Sequence, residues 1–113
     1  MSKPLRGEIW LATLDPTIGR EQAGTRPALI VSDDFFNQSH AELVVALPIT
    51  SKNKGIRSHV PVAPPEGGLN ALSYIKCEDV RSISWQRLGR RLGKVSAKTM
   101  DAVEQRLRII LAL

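Results

Sequence analysis

Arg26 stands immediately before Pro27, at the start of the apolar run 28–32. A residue that precedes proline is restricted to extended backbone angles, so the Arg26 side chain leaves the backbone from a well-defined place. Its guanidinium is always charged and presents a planar fork of donors that suits a phosphate group. The alternative is a surface arginine paired with Glu21 or Asp33. Arg26 is therefore a candidate for binding a phosphate.

Thr50 ends a second apolar run, 42–50, in which Pro48 cannot donate to a central ladder. Its hydroxyl lies where a predicted strand gives way to a loop, a position where threonine commonly satisfies its own backbone. Ser51 beside it is a weaker candidate for hydrogen bonding to a substrate. The loop that follows is basic and is predicted to be a phosphate track rather than only a solvated loop, through Lys52, Lys54 and Arg57.

Lys76 and Glu78 lie two residues apart in a predicted strand, so we expect them to share one face. They are either an ion pair on a strand surface or groups that position a substrate. The sequence alone leaves both interpretations open.

Histidine and cysteine offer little further chemistry. His40 and His59 lie in no recognisable motif, and each is predicted to be an exposed loop or edge residue. Cys77 is the single cysteine, which excludes an internal disulfide and a cysteine-based zinc or iron–sulfur site. A lone thiol favours a reducing, cytoplasmic compartment, and no apolar run is long enough to span a membrane.

Short strands separated by Gly and Pro turns must position these side chains. The patterns predict strands over 6–15, 28–32, 42–50, 72–83 and 87–93, with an edge strand within 58–68. A long loop over 16–27 and a short helical turn over 33–40 connect the first of them. The strand over 72–83 is expected to bend near Asp79.

A C-terminal helix is predicted to begin at Ser96, a typical N-cap. Helical spacing then places four apolar residues on one face: Met100, Val103, Leu107 and Ile110. Short strands followed by one closing helix predict a mainly β fold, a small half-open barrel.

The bulk composition indicates one domain, residues 1–113, and a polyanionic partner. The chain has 113 residues and 42% apolar residues, which excludes a disordered class. Its formal net charge is +5, and such a basic balance favours contacts with phosphate groups.

Four motifs together resemble those of the MazF/PemK family of toxin ribonucleases. They are R-G-(D/E)-I, D-P-T-x-G-x-E-Q-x-G-x-R-P, P-I-T-S and R-L-G-R-x-(I/L)-G, found here from Arg6, Asp15, Pro48 and Arg87. The resemblance implies an SH3-like barrel of the PemK/CcdB-like type that forms a homodimer. It also implies cutting of single-stranded RNA without a metal or cofactor, and inhibition by a cognate antitoxin with an acidic segment.

The resemblance assigns Arg26 as the catalytic arginine and Thr50 as its partner. The substrate-binding candidates are then Glu21, Gln22, Ser51, Lys52, Lys54, Arg57, Lys76 and Glu78. One departure concerns base preference, because Asp79 stands where many relatives carry glutamine.

Without a metal, the nucleophile is expected to be the ribose 2′-hydroxyl beside the scissile phosphate. Arg26 would stabilise the charge that develops on the phosphoryl oxygens, and Thr50 would orient the same phosphate. The products would be a 2′,3′-cyclic phosphate and a 5′-hydroxyl.

Two other classes of function fit the same barrel. One is a non-enzymatic toxin that inhibits DNA gyrase by binding it, and the other is an inactive SH3-like module that binds RNA. The Arg26 and Thr50 pair and the basic loop favour the nuclease, because a gyrase inhibitor needs neither.

Overall fold

The computed structural model describes residues 3–14 and 24–113. Over these residues the chain forms seven strands and two α-helices, joined in places by 3₁₀ turns. The elements are β1 (Glu8–Thr13), β2 (Thr25–Ile30), α1 (Asp34–Asn37), β3 (Leu43–Thr50), β4 (His59–Val62), β5 (Ser73–Lys76), β6 (Arg81–Ser84), β7 (Leu88–Lys94) and α2 (Ala97–Leu111).

The strands form one antiparallel sheet in the order β4-β5-β3-β2-β1-β7. β3 is the central strand, and one of its edges is shared by two partners. Its first half pairs with β6, and its end pairs with β5. In the described part of the sheet the outer strands β4 and β7 do not pair with each other, so the barrel stays half-open. The predicted fold is thereby confirmed.

Side chains alternate across each strand, and the sheet is apolar on both sides. The inner face, marked by Leu29 and Leu47, packs against α2 through Val103. The outer face, marked by Ala28 and Ala46, carries a second buried cluster that includes Trp10. Trp10 is buried and donates from Nε1 to Glu8 Oε1 at 3.0 Å, so it packs in this cluster.

α2 begins where its sequence predicts. Ser96 Oγ accepts a hydrogen bond from the backbone N–H of Thr99 at 3.2 Å. Glu66, in the loop between β4 and β5, ties this N-terminus to the barrel, since its Oε2 accepts from Ser96 N at 2.9 Å and from Thr99 Oγ1 at 2.6 Å. Of the predicted apolar face, Val103 is fully buried, whereas Ile110 is exposed.

β2 begins earlier than its apolar run indicates. We predict a strand from residue 28, but pairing with β1 extends it back to Thr25, which lies opposite Thr13. The extension matters because it makes Arg26 and Pro27 part of the strand rather than of the preceding loop. Cross-strand pairing has here overridden the weak local signal.

The loop between β4 and β5 crosses under the inner face and touches β7. Gly67 and Gly68 have positive φ, at 68° and 73°, which glycine adopts without strain. A Cβ on Gly68 would lie 2.0 Å from the carbonyl oxygen of Leu92. These two glycines therefore form the turn and also allow the loop to lie directly on β7.

Candidate functional site

The register between β2 and β3 brings Arg26 and Thr50 to the same level of the sheet. The two strands pair with Ala28 opposite Pro48. Counting two further residues along each strand reaches Arg26 on β2 and Thr50 on β3, and both strands include these residues. Residues two apart in a strand share a face, so Arg26 and Thr50 continue the outer face that Ala28 begins.

This end of the sheet leaves both candidate catalytic groups accessible. Arg26 is exposed, and Thr50 is half-buried. Pro27, the residue between Arg26 and Ala28, has no N–H for the ladder and keeps the backbone extended on its N-terminal side. The strand therefore directs the guanidinium toward solvent beside the hydroxyl-bearing end of β3.

Tyr74 joins this group although its sequence context gives no reason to select it. It lies on β5 directly opposite Thr50, and it is half-buried. Directly opposite residues on antiparallel strands have Cβ atoms about 4.5–5.5 Å apart, so the Tyr74 ring flanks the Thr50 side chain. Only the pairing of β3 with β5 reveals it, because the two residues are distant along the chain.

The loop after Thr50 is basic and open to solvent. Thr50 Oγ1 accepts a hydrogen bond from the backbone N–H of Lys52 at 3.2 Å, which turns the chain out of the strand. Every residue from 51 to 57 is exposed, including the candidates Ser51, Lys52, Lys54 and Arg57. The sheet thus presents a row of positive side chains immediately beyond the Thr50 hydroxyl.

Lys76 lies on the same strand face as Tyr74, two residues further along β5. Its Nζ is 3.6 Å from Asp79 Oδ2. Arg81 also holds Asp79, with Nε 2.9 Å from Oδ1 and Nη2 3.0 Å from Oδ2. The hydrogen bond from Arg81 is the main cause that lowers the pKa of Asp79 below its ordinary value. The Asp79 carboxylate is therefore paired with the neighbouring Lys76 and Arg81.

The prediction that Lys76 and Glu78 share a strand face is wrong. β5 ends at Lys76, and Glu78 lies in the turn that leads to β6, where period-two alternation no longer applies. The Glu78 carboxylate accepts from Ser58 Oγ at 2.6 Å and from His59 Nε2 at 3.0 Å. Burial raises its pKa, but hydrogen bonds from Ser58, its own backbone and His59 outweigh that effect and lower the pKa.

His59 is buried, contrary to its predicted exposure. It lies on the edge strand β4, as expected, but only 6% of its surface is accessible. The Glu78 carboxylate covers it, and a carboxylate only accepts, so Nε2 carries the hydrogen of this bond. His40 is exposed, as predicted.

Three further expectations concern residues outside this cluster. Glu21 and Gln22 lie outside the described residues. Among residues 3–14 and 24–113, no three His, Cys, Asp or Glu side chains are grouped to hold a metal ion, and metal independence stays a prediction. Burial raises the pKa of the Cys77 thiol to about 11, which leaves it protonated and unreactive at neutral pH.

No helix in the described part of the chain is long and apolar enough to cross a membrane.

Comparison with known proteins relates this geometry to one family. Residues 5–111 match the family described as PemK-like, MazF-like toxin of type II toxin–antitoxin systems. The chain is 41% identical over 108 residues to endoribonuclease PemK of Escherichia coli. The aligned residues cover 94% of this chain and 80% of that protein.

Solved structures agree with this family. The crystal structure of MazF from Deinococcus radiodurans superposes with a TM-score of 0.85 at 27% identity, over 100% of both chains. A mycobacterial endoribonuclease in complex with its cognate antitoxin has a TM-score of 0.78 at 28% identity, over 100% of this chain and 97% of the other. The predicted family and the predicted endoribonuclease class are confirmed over the gyrase-binding alternative. The chain therefore belongs to the PemK-like, MazF-like toxins of type II toxin–antitoxin systems and, like these relatives, is an endoribonuclease.

Proposed function

We propose that this toxin endoribonuclease cuts single-stranded RNA without a metal ion, by attack of a ribose 2′-hydroxyl on the adjacent phosphate. The observation that carries the proposal is the sheet register. It sets the exposed guanidinium of Arg26 and the hydroxyl of Thr50 at the same level of one face, next to the basic loop. This is an arrangement of donors around a place where a phosphate fits.

In the proposed step, the 2′ oxygen bonds to phosphorus as its hydroxyl loses a proton. The bond from phosphorus to the 5′ oxygen breaks, and that oxygen takes up a proton. Arg26 stabilises the charge on the phosphoryl oxygens and is the proposed donor to the leaving oxygen, while Thr50 orients the phosphate. The products are a 2′,3′-cyclic phosphate and a 5′-hydroxyl.

The remaining candidates are proposed to hold the RNA on either side of the cut. Ser51, Lys52, Lys54 and Arg57 form an exposed track beyond Thr50. Lys76 and the Tyr74 ring flank Thr50 from β5, and an aromatic face can stack on any base. Glu78 is proposed to contact RNA only at the side chain's accessible edge, because Ser58 and His59 occupy its carboxylate. Glu21 and Gln22 stay proposed contacts from the family resemblance.

The partners and setting are also proposals. The mycobacterial relative was solved with its cognate antitoxin, which supports an antitoxin partner for this chain. A homodimer is proposed from the family resemblance, and the exposed apolar side chains of Phe35 and Ile109 are candidates for its interface. The single buried thiol, Cys77, supports a reducing cytoplasmic compartment.

A single atom of the substrate tests the mechanism. Deoxyribose is placed on the 5′ side of the mapped cut in an otherwise cleavable RNA, which removes the nucleophile and leaves the phosphate and bases in place. We expect the modified RNA to bind with nearly unchanged affinity and not to be cut, as measured by filter binding and gel analysis of the ends.

Chelation is the matched control for the metal. The unmodified RNA should be cut at the same rate with and without EDTA, because no bound ion is needed to activate water. Cutting of the deoxy-substituted RNA, or activity that EDTA abolishes and a divalent ion restores, would contradict the proposal.

A further inference from the structure

A second concave surface opens at the mouth of the barrel, on the inner side of the sheet end that carries Arg26 and Thr50. It is a groove of about 510 Å³. Its lining combines apolar side chains, which include Leu11, Pro27 and Leu92, with polar ones, which include Asn70, Ser73 and Arg90. Leu11 lies directly opposite Pro27 across β1 and β2, so both belong to the inner face.

Two arginines of β7, Arg90 and Arg91, line the groove, and they differ in whether a carboxylate of the described residues pairs with them. Arg91 is paired, because its Nε is 2.7 Å from Glu8 Oε2. Burial raises the pKa of Glu8, but hydrogen bonds from Trp10, the Leu5 backbone and Arg91 outweigh this effect and lower the pKa below its ordinary value. The carboxylate therefore stays charged beside Arg91. Arg90 is exposed, and within residues 3–14 and 24–113 it has no carboxylate partner. Among the carboxylates in residues 3–14 and 24–113, none therefore compensates the Arg90 guanidinium, which lines the groove.

The groove and the candidate site are two sides of the same sheet end. Pro27 of the groove follows Arg26 in the chain, and Ser73 of the groove precedes Tyr74, which pairs with Thr50. Consecutive Cα atoms are about 3.8 Å apart, so the groove begins at direct chain neighbours of the candidate site.

We propose that this groove binds one nucleotide of the RNA beside the scissile phosphate, with the base against the apolar side chains of Leu11, Pro27 and Leu92 and a phosphate against Arg90. The inference rests on the proposed function. It extends the substrate-binding surface to residues that are not among the candidates assigned from the resemblance, although Pro27 and Arg90 stand within two of the motifs. A concave surface that combines apolar side chains with a few polar groups is a usual form of a site for a small organic ligand. A guanidinium is the side chain best suited to a phosphate in such a site.

The groove also has polar groups that suit a base edge. Ser73 Oγ donates to the carbonyl oxygen of Ala71 at 2.9 Å, which leaves its lone pairs free to accept from a base. Asn70 is exposed and offers both a donor and an acceptor. The nucleotide in the groove is therefore one whose identity the toxin distinguishes.

The test removes the charge of Arg90 and the charge of one RNA phosphate, first singly and then together. The probe is a short RNA that contains the mapped cut, with deoxyribose at the cut so that it stays intact, and with one phosphate at a time replaced by a neutral methylphosphonate. In the wild-type protein, one substitution next to the cut should weaken binding about tenfold, as loss of a charge-assisted contact does. Arg90→Ala should bind the all-phosphate RNA about tenfold more weakly, and that same methylphosphonate should then have no further effect.

Arg108→Ala is the matched control, because it removes the same charge from α2, at a side chain that is 62% exposed and only loosely paired with Glu104 at 3.9 Å. Its phosphate scan should equal that of the wild type. Melting curves establish that both variants are folded.

The two proposals fail in different ways. A wild-type protein that cuts the deoxy-substituted RNA overturns the reaction mechanism. The groove alone is overturned by a different combination of results. The wild-type protein cuts the unmodified RNA and leaves the deoxy-substituted RNA intact, but its phosphate scan is identical to that of folded Arg90→Ala.

Discussion

Arg26 and Thr50 can be tested one side chain at a time, because both lie at the accessible end of the sheet rather than in its core. Arg26→Ala and Thr50→Ala should each lower the single-turnover rate of RNA cleavage by roughly 10²–10³, the usual effect of removing one donor that stabilises a developing charge. Thr50→Ser keeps the hydroxyl and should retain most of the rate, whereas Arg108→Ala controls for loss of charge. A folded Arg26→Ala or Thr50→Ala protein that cleaves at the wild-type rate would remove that residue from the site.

At the scale of elements, the N-terminus of α2 is the part whose stability follows most directly from named contacts. Ser96→Ala removes the N-cap, and we expect it to lower the free energy of unfolding by about 1 kcal/mol. Lys98→Ala, at an exposed position of the same helix turn, should leave stability nearly unchanged. Because α2 carries none of the proposed catalytic groups, cleavage well below the melting temperature should be the same in both variants. A drop in cleavage rate for folded Ser96→Ala would show that α2 contributes to the site.

Glu66 gives the same element a pH dependence whose sign follows from its contacts. Burial raises its pKa, but hydrogen bonds from Thr99 and from Ser96 outweigh that effect and lower it below the ordinary value. Its contribution to stability is therefore present above the pKa of the unfolded chain and is lost as the pH falls through the folded pKa. In Glu66→Gln, melting temperature should fall less steeply on acidification than in the wild type, as measured by circular dichroism. Parallel curves for the two proteins would mean that these hydrogen bonds do not favour the charged carboxylate.

At the scale of the whole molecule, the net charge of +5 favours binding of an acidic partner along the exposed loop 51–57. An antitoxin with an acidic, partly disordered segment should bind there, compete with RNA and bind more weakly as salt rises. Lys52→Glu should weaken antitoxin binding at low salt, whereas Lys98→Glu on α2 should change it little, with titration calorimetry as the measurement. An antitoxin that binds both variants with wild-type affinity and still allows cleavage would place its binding surface elsewhere.

Much of the architecture is already determined by the order of residues along the chain. Short apolar runs and Gly/Pro turns predict the strands, and Ser96 with its helical spacing predicts α2, because these signals act between near neighbours. The motif that contains Arg26 and the one that contains Thr50 likewise identify the family without any knowledge of contacts.

The tertiary structure alone decided how the site is assembled. Tyr74 lies opposite Thr50, Glu78 covers the buried His59, and the groove brings Pro27 close to Arg90. None of these neighbours is local, since each depends on which strands pair and in what register. Register is set by the sum of many long-range contacts across the sheet, and a one-residue shift would move every side chain to the opposite face. Residue types and local spacing therefore indicate which chemistry is available, whereas strand pairing determines which groups meet to perform it.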